Sequence, residues 1–369
     1  MAWLLLSAAL LLAFVNGAND NLKGVATLYG SGTLSYRQSL ALATVSTAMG
    51  SLLSVLLATA LVRAFSAKGL VPPEFLDTNF LASVASAAAI TVLAATLIGM
   101  PISTTHALLG GILGTAAASA GGAIDFGALG SGFALPLLAS PFMAIGMAYL
   151  LQRGGTEVGR RTGVHEDSCL CVGEPQRAPS GAEASAMALS FGDAPERRDL
   201  VLDDGESCRV HGTSGVQVRQ AIRVGHLISG SLVGFARGLN DTPKIVGLLA
   251  GASLLAPLTA AVAVGGCMAI GGLLAARRVT ETIAKRLTPM TPGQGLVGNM
   301  TASFLVIVAS NLGLPVSTTH VSVGGVLGVG ASTGGLHMRA TGEVLMAWLV
   351  TLPISAVIAG FVSLALRGL

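Results

Sequence analysis

The chain has 369 residues, 52% of them hydrophobic and only 11% charged, with a mean hydropathy of +0.74. Too few charged side chains remain to solvate a soluble core of that size, which excludes a water-soluble enzyme. The formal net charge of +3 is small and spread out, which excludes a nucleic-acid-binding surface, and no Gly-x-x-x-x-Gly-Lys-Ser/Thr loop is present to bind and hydrolyse ATP.

The elements read in order from the start. Met1 to Val15 is apolar but has no basic leader and no small-residue cleavage site, so it is predicted as a retained first helix. It runs into a polar cassette, Asn19-Asp20-Asn21-Leu22-Lys23, flanked by Gly17 and Gly24. Further spans are predicted over residues 38–62, within the uncharged runs 78–124 and 126–152, within 245–276 and 287–338, and over 344–366. At about 20 residues per crossing, the chain holds roughly eight to twelve membrane segments. Residues 103–114 and 317–328 share eight of twelve positions, including Ser-Thr-Thr-His, and each copy follows a proline, Pro101 or Pro315. The second copy has its own charged cassette upstream, Asn240-Asp241-Thr242-Pro243-Lys244. Two halves with matched polar cassettes inside apolar sequence mark a duplicated transporter whose site lies where the halves meet.

Between the halves lies an insert. Residues 153–219 hold eight of the arginines and eleven of the eighteen acidic residues, and are predicted as a poorly ordered cytoplasmic linker. The organisation is therefore a first membrane repeat over 1–152, a linker over 153–220 and a second repeat over 221–369. In the linker, His165, Cys169, Cys171, Cys208 and His211 are considered as zinc ligands, but Cys-x-Cys is not a standard spacing, and reduced thiols with solvated histidines are the simpler reading. No metal or other cofactor is assigned, and Cys267 is read as a small buried hydrophobe.

Charge inside a bilayer costs several kcal/mol, so the cassettes carry the chemistry. Asp20 with Lys23, and Asp241 with Lys244, stand three residues apart and share a helical face; read as structure alone they are ion pairs that lock broken helices. The glycines and Pro243 break those helices and free backbone groups for a ligand. Pro101 and Pro315 suit the first turn of a new helix, where Ser103, Thr104, Thr105, Ser317, Thr318 and Thr319 bring hydroxyls to its positive end. Hydroxyls at a helix N-terminus make an oxyanion site, although a single copy reads equally as helix caps. His106 and His320 follow directly and are read as hydrogen-bonding residues or as proton carriers. Two Asp and two Lys sum to zero formal charge, so a site built from them accepts an anion without the extra cations a carboxylate-only site needs. The residues alone leave open whether the halves are inverted or parallel.

Gly17-Ala18-Asn19-Asp20, its weaker copy Gly238-Leu239-Asn240-Asp241 and the two Pro-x-Ser-Thr-Thr-His segments resemble the duplicated signatures of the inorganic phosphate transporter (PiT) family, which includes a sulfate-transporting branch. The resemblance implies an all-α integral membrane fold of inverted repeats with broken or re-entrant helices, set in the cell membrane. It also implies a phosphate held between the halves and coupling to sodium or protons. By position, Asn19, Asp20, Asn240 and Asp241 serve the substrate and coupling-cation region and the six hydroxyl residues contact the oxyanion; the residues themselves add Lys23 and Lys244 to the oxyanion set and His106 and His320 to the coupling set. Relatives carry small or amide residues where this chain has Lys23 and Lys244, so the ammonium groups are expected to stand where a sodium ion is bound. Sulfate or another tetrahedral oxyanion is the alternative cargo, and a non-transporting membrane receptor or scaffold the alternative of another class. A homodimer is kept open as an assembly.

Overall fold

The computed structural model describes residues 1–119, 121–173, 199–204, 215–287 and 290–367. These fall into two compact units, Met1–Arg153 with His226–Leu369, and Gly154–Gly225.

The first unit is helical. Its first half runs through α1 (Ala2–Asp20), α2 (Ala26–Gly30), α3 (Tyr36–Leu57), α4 (Thr59–Phe65), α5 (Thr78–Leu97), α6 (Thr104–Ser119), α7 (Phe126–Leu129) and α8 (Leu135–Thr162). The second half runs through α9 (Val218–Gly251), α10 (Pro257–Ala275), α11 (Arg277–Glu281), α12 (Pro292–Asn311), α13 (Thr318–Thr333) and α14 (Met338–Arg367). Starts are written in the sequence. Ser35 and Gln38 form a capping box on α3, Asp77 accepts from the Phe80 amide at 2.7 Å to begin α5, and Thr291 with Gln294 does for α12 what Ser35 does for α3. Seven helical segments among the described residues are long and apolar enough to cross a membrane. The 34-residue α9 is long enough too, but carries Arg237, Asp241 and Lys244 within it. Helices α6 and α13 have 16 residues each. At 1.5 Å per residue they span about 24 Å, short of a hydrocarbon layer of about 30 Å, which suits elements that enter and stop.

Two expectations need correction. The cassettes do not both break their helices. The first does: α1 ends at Asp20, and a turn carries the chain to α2. Asn21 and Gly24 are poor helix formers, and the Asn21 amide turns away to donate to Thr44 Oγ1 at 3.0 Å. The second cassette stays inside α9, which runs on through Pro243 without ending there. The prolines before the Ser-Thr-Thr segments also lie outside the first helical turn. Each sits two residues ahead of a serine whose hydroxyl accepts from the His amide three positions on, Ser103 from His106 at 3.1 Å and Ser317 from His320 at 3.2 Å. The hydroxyl defines the helix start, and residues 101–103 and 315–317 are left outside any regular element.

The halves are interlocked. Helix α6 packs on α14, the last helix of the other half, and α13 approaches α8, the last helix of the first half. The repeated glycines explain how. A Cβ on Gly114 would stand 1.9 Å from the Ala356 carbonyl oxygen, and one on the matching Gly328 would stand 2.3 Å from that of Ile145. Only hydrogen fits there, which lets the backbones touch. Around this contact the buried core draws on Leu5, Leu12, Phe65, Leu81, Leu108 and Ile245.

Within the second unit, the described residues include short strands. Its described strands, β1 (Ser168–Gly173), β2 (Asp199–Asp204) and β3 (Gly215–Gln217), form an antiparallel sheet in the order β2-β1-β3. Short runs such as Leu200-Val201-Leu202 carry this propensity, and the surrounding charge hides them from a composition argument.

Candidate anion and cation site

The two cassettes and the two unwound segments meet at one buried network. Asp20, Lys23, Arg237, Asp241 and Lys244 are each at most 5% exposed. At that depth every charge needs partners, and the chain supplies them in matched pairs.

Lys23 Nζ donates to Asn19 Oδ1 at 3.0 Å, to the Ile102 carbonyl at 2.9 Å and to Thr319 Oγ1 at 2.6 Å, and is ion-paired with Asp20. Lys244 Nζ donates to Asp241 Oδ1 at 3.2 Å, to the Val316 carbonyl at 2.8 Å and to Thr105 Oγ1 at 2.7 Å. Ile102 and Val316 are equivalent positions of the repeat, as are Thr105 and Thr319. Each lysine thus binds the unwound carbonyl of its own half and the threonine of the other. The threonines close the exchange: Thr319 donates to the Ile102 carbonyl at 2.8 Å and Thr105 to the Val316 carbonyl at 3.2 Å. Four oxygens around one ammonium make a cage of carbonyl, amide, carboxylate and hydroxyl, the ligand set that unwound helices offer to cations.

The asparagines hold the cage in register. Asn19 Nδ2 donates to Thr96 Oγ1 and to the Met100 carbonyl, both at 3.0 Å, and its Oδ1 accepts from the Ile102 amide at 3.2 Å. Asn240 donates to the Val316 carbonyl and accepts from Ser310 Oγ, both at 3.2 Å. Thr104 Oγ1 accepts from Asn16 Nδ2 at 2.8 Å. Thr318 Oγ1 lies 3.4 Å from Asp241 Oδ2. All the sequence-selected cassette and hydroxyl residues therefore converge, but Ser103 and Ser317 use their hydroxyls as helix caps. His106 and His320 meet with ring centroids 4.5 Å apart and ring planes tilted by 46°, His106 Nδ1 lies 2.9 Å from Ser103 Oγ, and Trp348 packs with its ring centroid 4.0 Å from that of His320.

Sequence reasoning missed two residues here. Asn16 and Arg237 each stand four positions before the cassette aspartate, one helical turn away and on the same face. Arg237 donates to Asn16 Oδ1 at 2.8 Å, to the Asn16 carbonyl at 3.3 Å and to Asn21 Oδ1 at 3.1 Å, and its Nε lies 3.6 Å from Asp241 Oδ2. The reading of the charged residues as two Asp and two Lys of zero sum is corrected accordingly. Arg237 is a third cation, and the buried set carries a formal charge of +1.

A second buried cluster belongs to long-range packing that the sequence does not display. His226 Nε2 is 3.0 Å from Thr27 Oγ1, which accepts from Asn299 Nδ2 at 2.9 Å. Among the described residues no group of three or more His, Cys, Asp or Glu is placed to hold a metal. Of the linker zinc candidates, Cys208 and His211 lie outside the described residues, and Cys169 is buried on β1. Cys267 is only partly buried at the edge of the core.

Comparison with known proteins adds an independent line. A "Probable low-affinity inorganic phosphate transporter" of Mycobacterium bovis is 26% identical over 365 residues, spanning 96% of this chain and 74% of that protein. "Inorganic phosphate transporter 2-1, chloroplastic" of Arabidopsis thaliana is 27% identical over 406 residues, spanning 93% of this chain and 68% of its own length. The solved structure of "The sodium-dependent phosphate transporter" superposes with a TM-score of 0.73 at 20% identity, covering 100% of this chain and 99% of that one, so the two share a fold. The profile described as "Phosphate transporter family" matches residues 16–359. With both cassettes, both Ser-Thr-Thr-His segments and nearly the whole membrane unit inside that match, the chain is a multi-pass integral membrane protein, a transporter rather than an enzyme, and belongs to the phosphate transporter family.

Proposed function

We propose that the chain is a secondary active transporter of inorganic phosphate whose halves work as inverted repeats, with the anion taken up among Thr104, Thr105, Thr318, Thr319 and the serines that cap their helices. The observation that carries the coupling part of this reading is the oxygen cage around Lys23 Nζ, matched around Lys244 by the aspartate, carbonyl and threonine oxygens though not by the asparagine. A fixed ammonium there does the electrostatic work of a coupling cation, so an anion is received without sodium. Coupling then falls to protons, with Asp20, Asp241, His106 and His320 as the titratable groups at the junction. The sodium dependence named for the structural neighbour is a property of that protein.

The deciding experiment is uptake of labelled phosphate, and separately of labelled sulfate, into proteoliposomes under imposed sodium or proton gradients. The expected result is phosphate uptake that an inward proton gradient drives and that sodium does not stimulate. Uptake that requires sodium and stays flat between about pH 5.5 and 8 would return the lysines to a purely structural role. Sulfate moving in preference to phosphate would reassign the cargo. Absence of flux for either oxyanion would favour a receptor or scaffold.

A further inference from the structure

The two halves of the site match in charge at every pair of equivalent positions but one. Asn19, Asp20, Lys23, Ile102 and Thr105 have counterparts in Asn240, Asp241, Lys244, Val316 and Thr319, but the counterpart of Asn16 is Arg237. These unequal partners also touch, since Arg237 donates to the side chain and carbonyl of Asn16. The asymmetry is thus placed where the halves face each other. Its effect is on charge. Among the described residues, the buried Asp, Glu, Lys and Arg side chains are Asp20, Lys23, Arg237, Asp241 and Lys244, three cations against two carboxylates. Asp20 is taken by Lys23, and Asp241 is shared between Lys244 at 3.2 Å and Arg237 at 3.6 Å. Arg237 Nε is buried without a hydrogen-bond acceptor, 3.6 Å from Asp241 Oδ2, so the guanidinium keeps one donor unspent. A buried charge left uncompensated is unfavourable until something of opposite sign arrives.

We propose that Arg237 is a specificity-determining residue of the anion site. It brings the buried network to three cations against two carboxylates, and so supplies the surplus positive charge that an incoming oxyanion neutralises. Replacing Arg237 by asparagine, the residue its counterpart position carries, makes the network symmetric and formally neutral. The inference rests on reading the site as an oxyanion site.

The test measures concentration dependence of phosphate uptake in proteoliposomes, in sodium and in choline media, for wild type, Arg237→Asn, Arg237→Lys and the exchange variant Asn16→Arg/Arg237→Asn. Wild type without flux of phosphate or sulfate would remove the underlying reading before Arg237 is addressed. Given wild-type flux, Arg237→Asn is expected to raise KM in choline by about tenfold or more with a smaller change in maximal rate, and sodium is expected to recover part of that loss. Arg237→Lys is expected to keep KM within about threefold, since the charge stays while the fork is lost. The exchange variant, which moves the cation to the other half, is expected to recover affinity relative to Arg237→Asn. Unchanged KM in a monodisperse Arg237→Asn protein would overturn the proposal, as would a fall in maximal rate at constant KM. Should Arg237→Asn not yield folded protein, the lysine variant decides: a KM close to wild type supports the charge role, and a large rise assigns Arg237 to holding Asn16 and Asn21.

Discussion

The two cassettes are copies with different local physics. In the first, the helix stops at Asp20 and the lysine arrives on a turn; in the second, the helix runs on through Pro243 and the lysine stays on its face. The ammonium groups nevertheless reach equivalent oxygens, the Ile102 and Val316 carbonyls and the threonines Thr319 and Thr105. The position of the charge is therefore held more tightly than the backbone that delivers it. What differs is compensation: Asp20 has Lys23 alone as an ion-pair partner, whereas Asp241 has both Lys244 and Arg237.

The sharpest way to break that comparison is to remove each lysine in turn. Lys23→Met leaves Asp20 buried and unpaired and is expected to cost about 3 to 5 kcal/mol, read as a fall in the unfolding midpoint of the purified protein. Lys244→Met is expected to cost less, because Arg237 still faces Asp241. Equal losses would mean that the distant guanidinium compensates nothing.

Next come the helix contacts that bring the halves together. Gly114→Ala and Gly328→Ala force a methyl group against a carbonyl in each interlock and are each expected to cost about 1 to 3 kcal/mol in the same assay. Gly114, with its closer neighbour, is expected to lose more. The hydroxyls sharpen the comparison further. Thr104→Val breaks a 2.8 Å bond to Asn16, and Thr318→Val a 3.4 Å contact to Asp241. The double variant is expected to weaken phosphate affinity by about 1 to 3 kcal/mol per lost buried partner, with Thr104 the larger share. Unchanged affinity in folded protein would remove these hydroxyls from the anion site.

The smallest effect is expected outside the membrane unit. Replacing residues 162–212 by a flexible spacer should leave uptake within about threefold of wild type, since the network lies wholly in the other compact unit. Complete loss of uptake would give the small sheet a task.

Much of this was legible because a membrane makes polar residues conspicuous. Asp20, Lys23, Asp241, Lys244 and the duplicated hydroxyls stand out against uncharged runs, and their equivalence in the repeat assigns them to one place. Arg237 was equally conspicuous in principle, a lone cation in apolar sequence one helical turn before Asp241. It escaped because a search for matched motifs looks for sameness, and at that position the copies differ. The helical run through Pro243 was hidden for another reason, since proline only biases a helix to end and burial on all sides can carry it through. The Thr27, His226 and Asn299 cluster joins positions about 200 and 270 residues apart, a distance over which no local pattern reports contact.

The crossed packing of α6 on α14 and of α13 beside α8 has a consequence for biogenesis. Helix α6 emerges from the ribosome long before its partner, so its glycine-lined face has to wait in the bilayer while the remaining two thirds of the polypeptide is made. The first half cannot mature as it is inserted, and its closure waits for α14. A chain shortened before residue 338 would leave that glycine face without its cover, and is expected to be handed to quality-control proteases instead of persisting as a half-built pore.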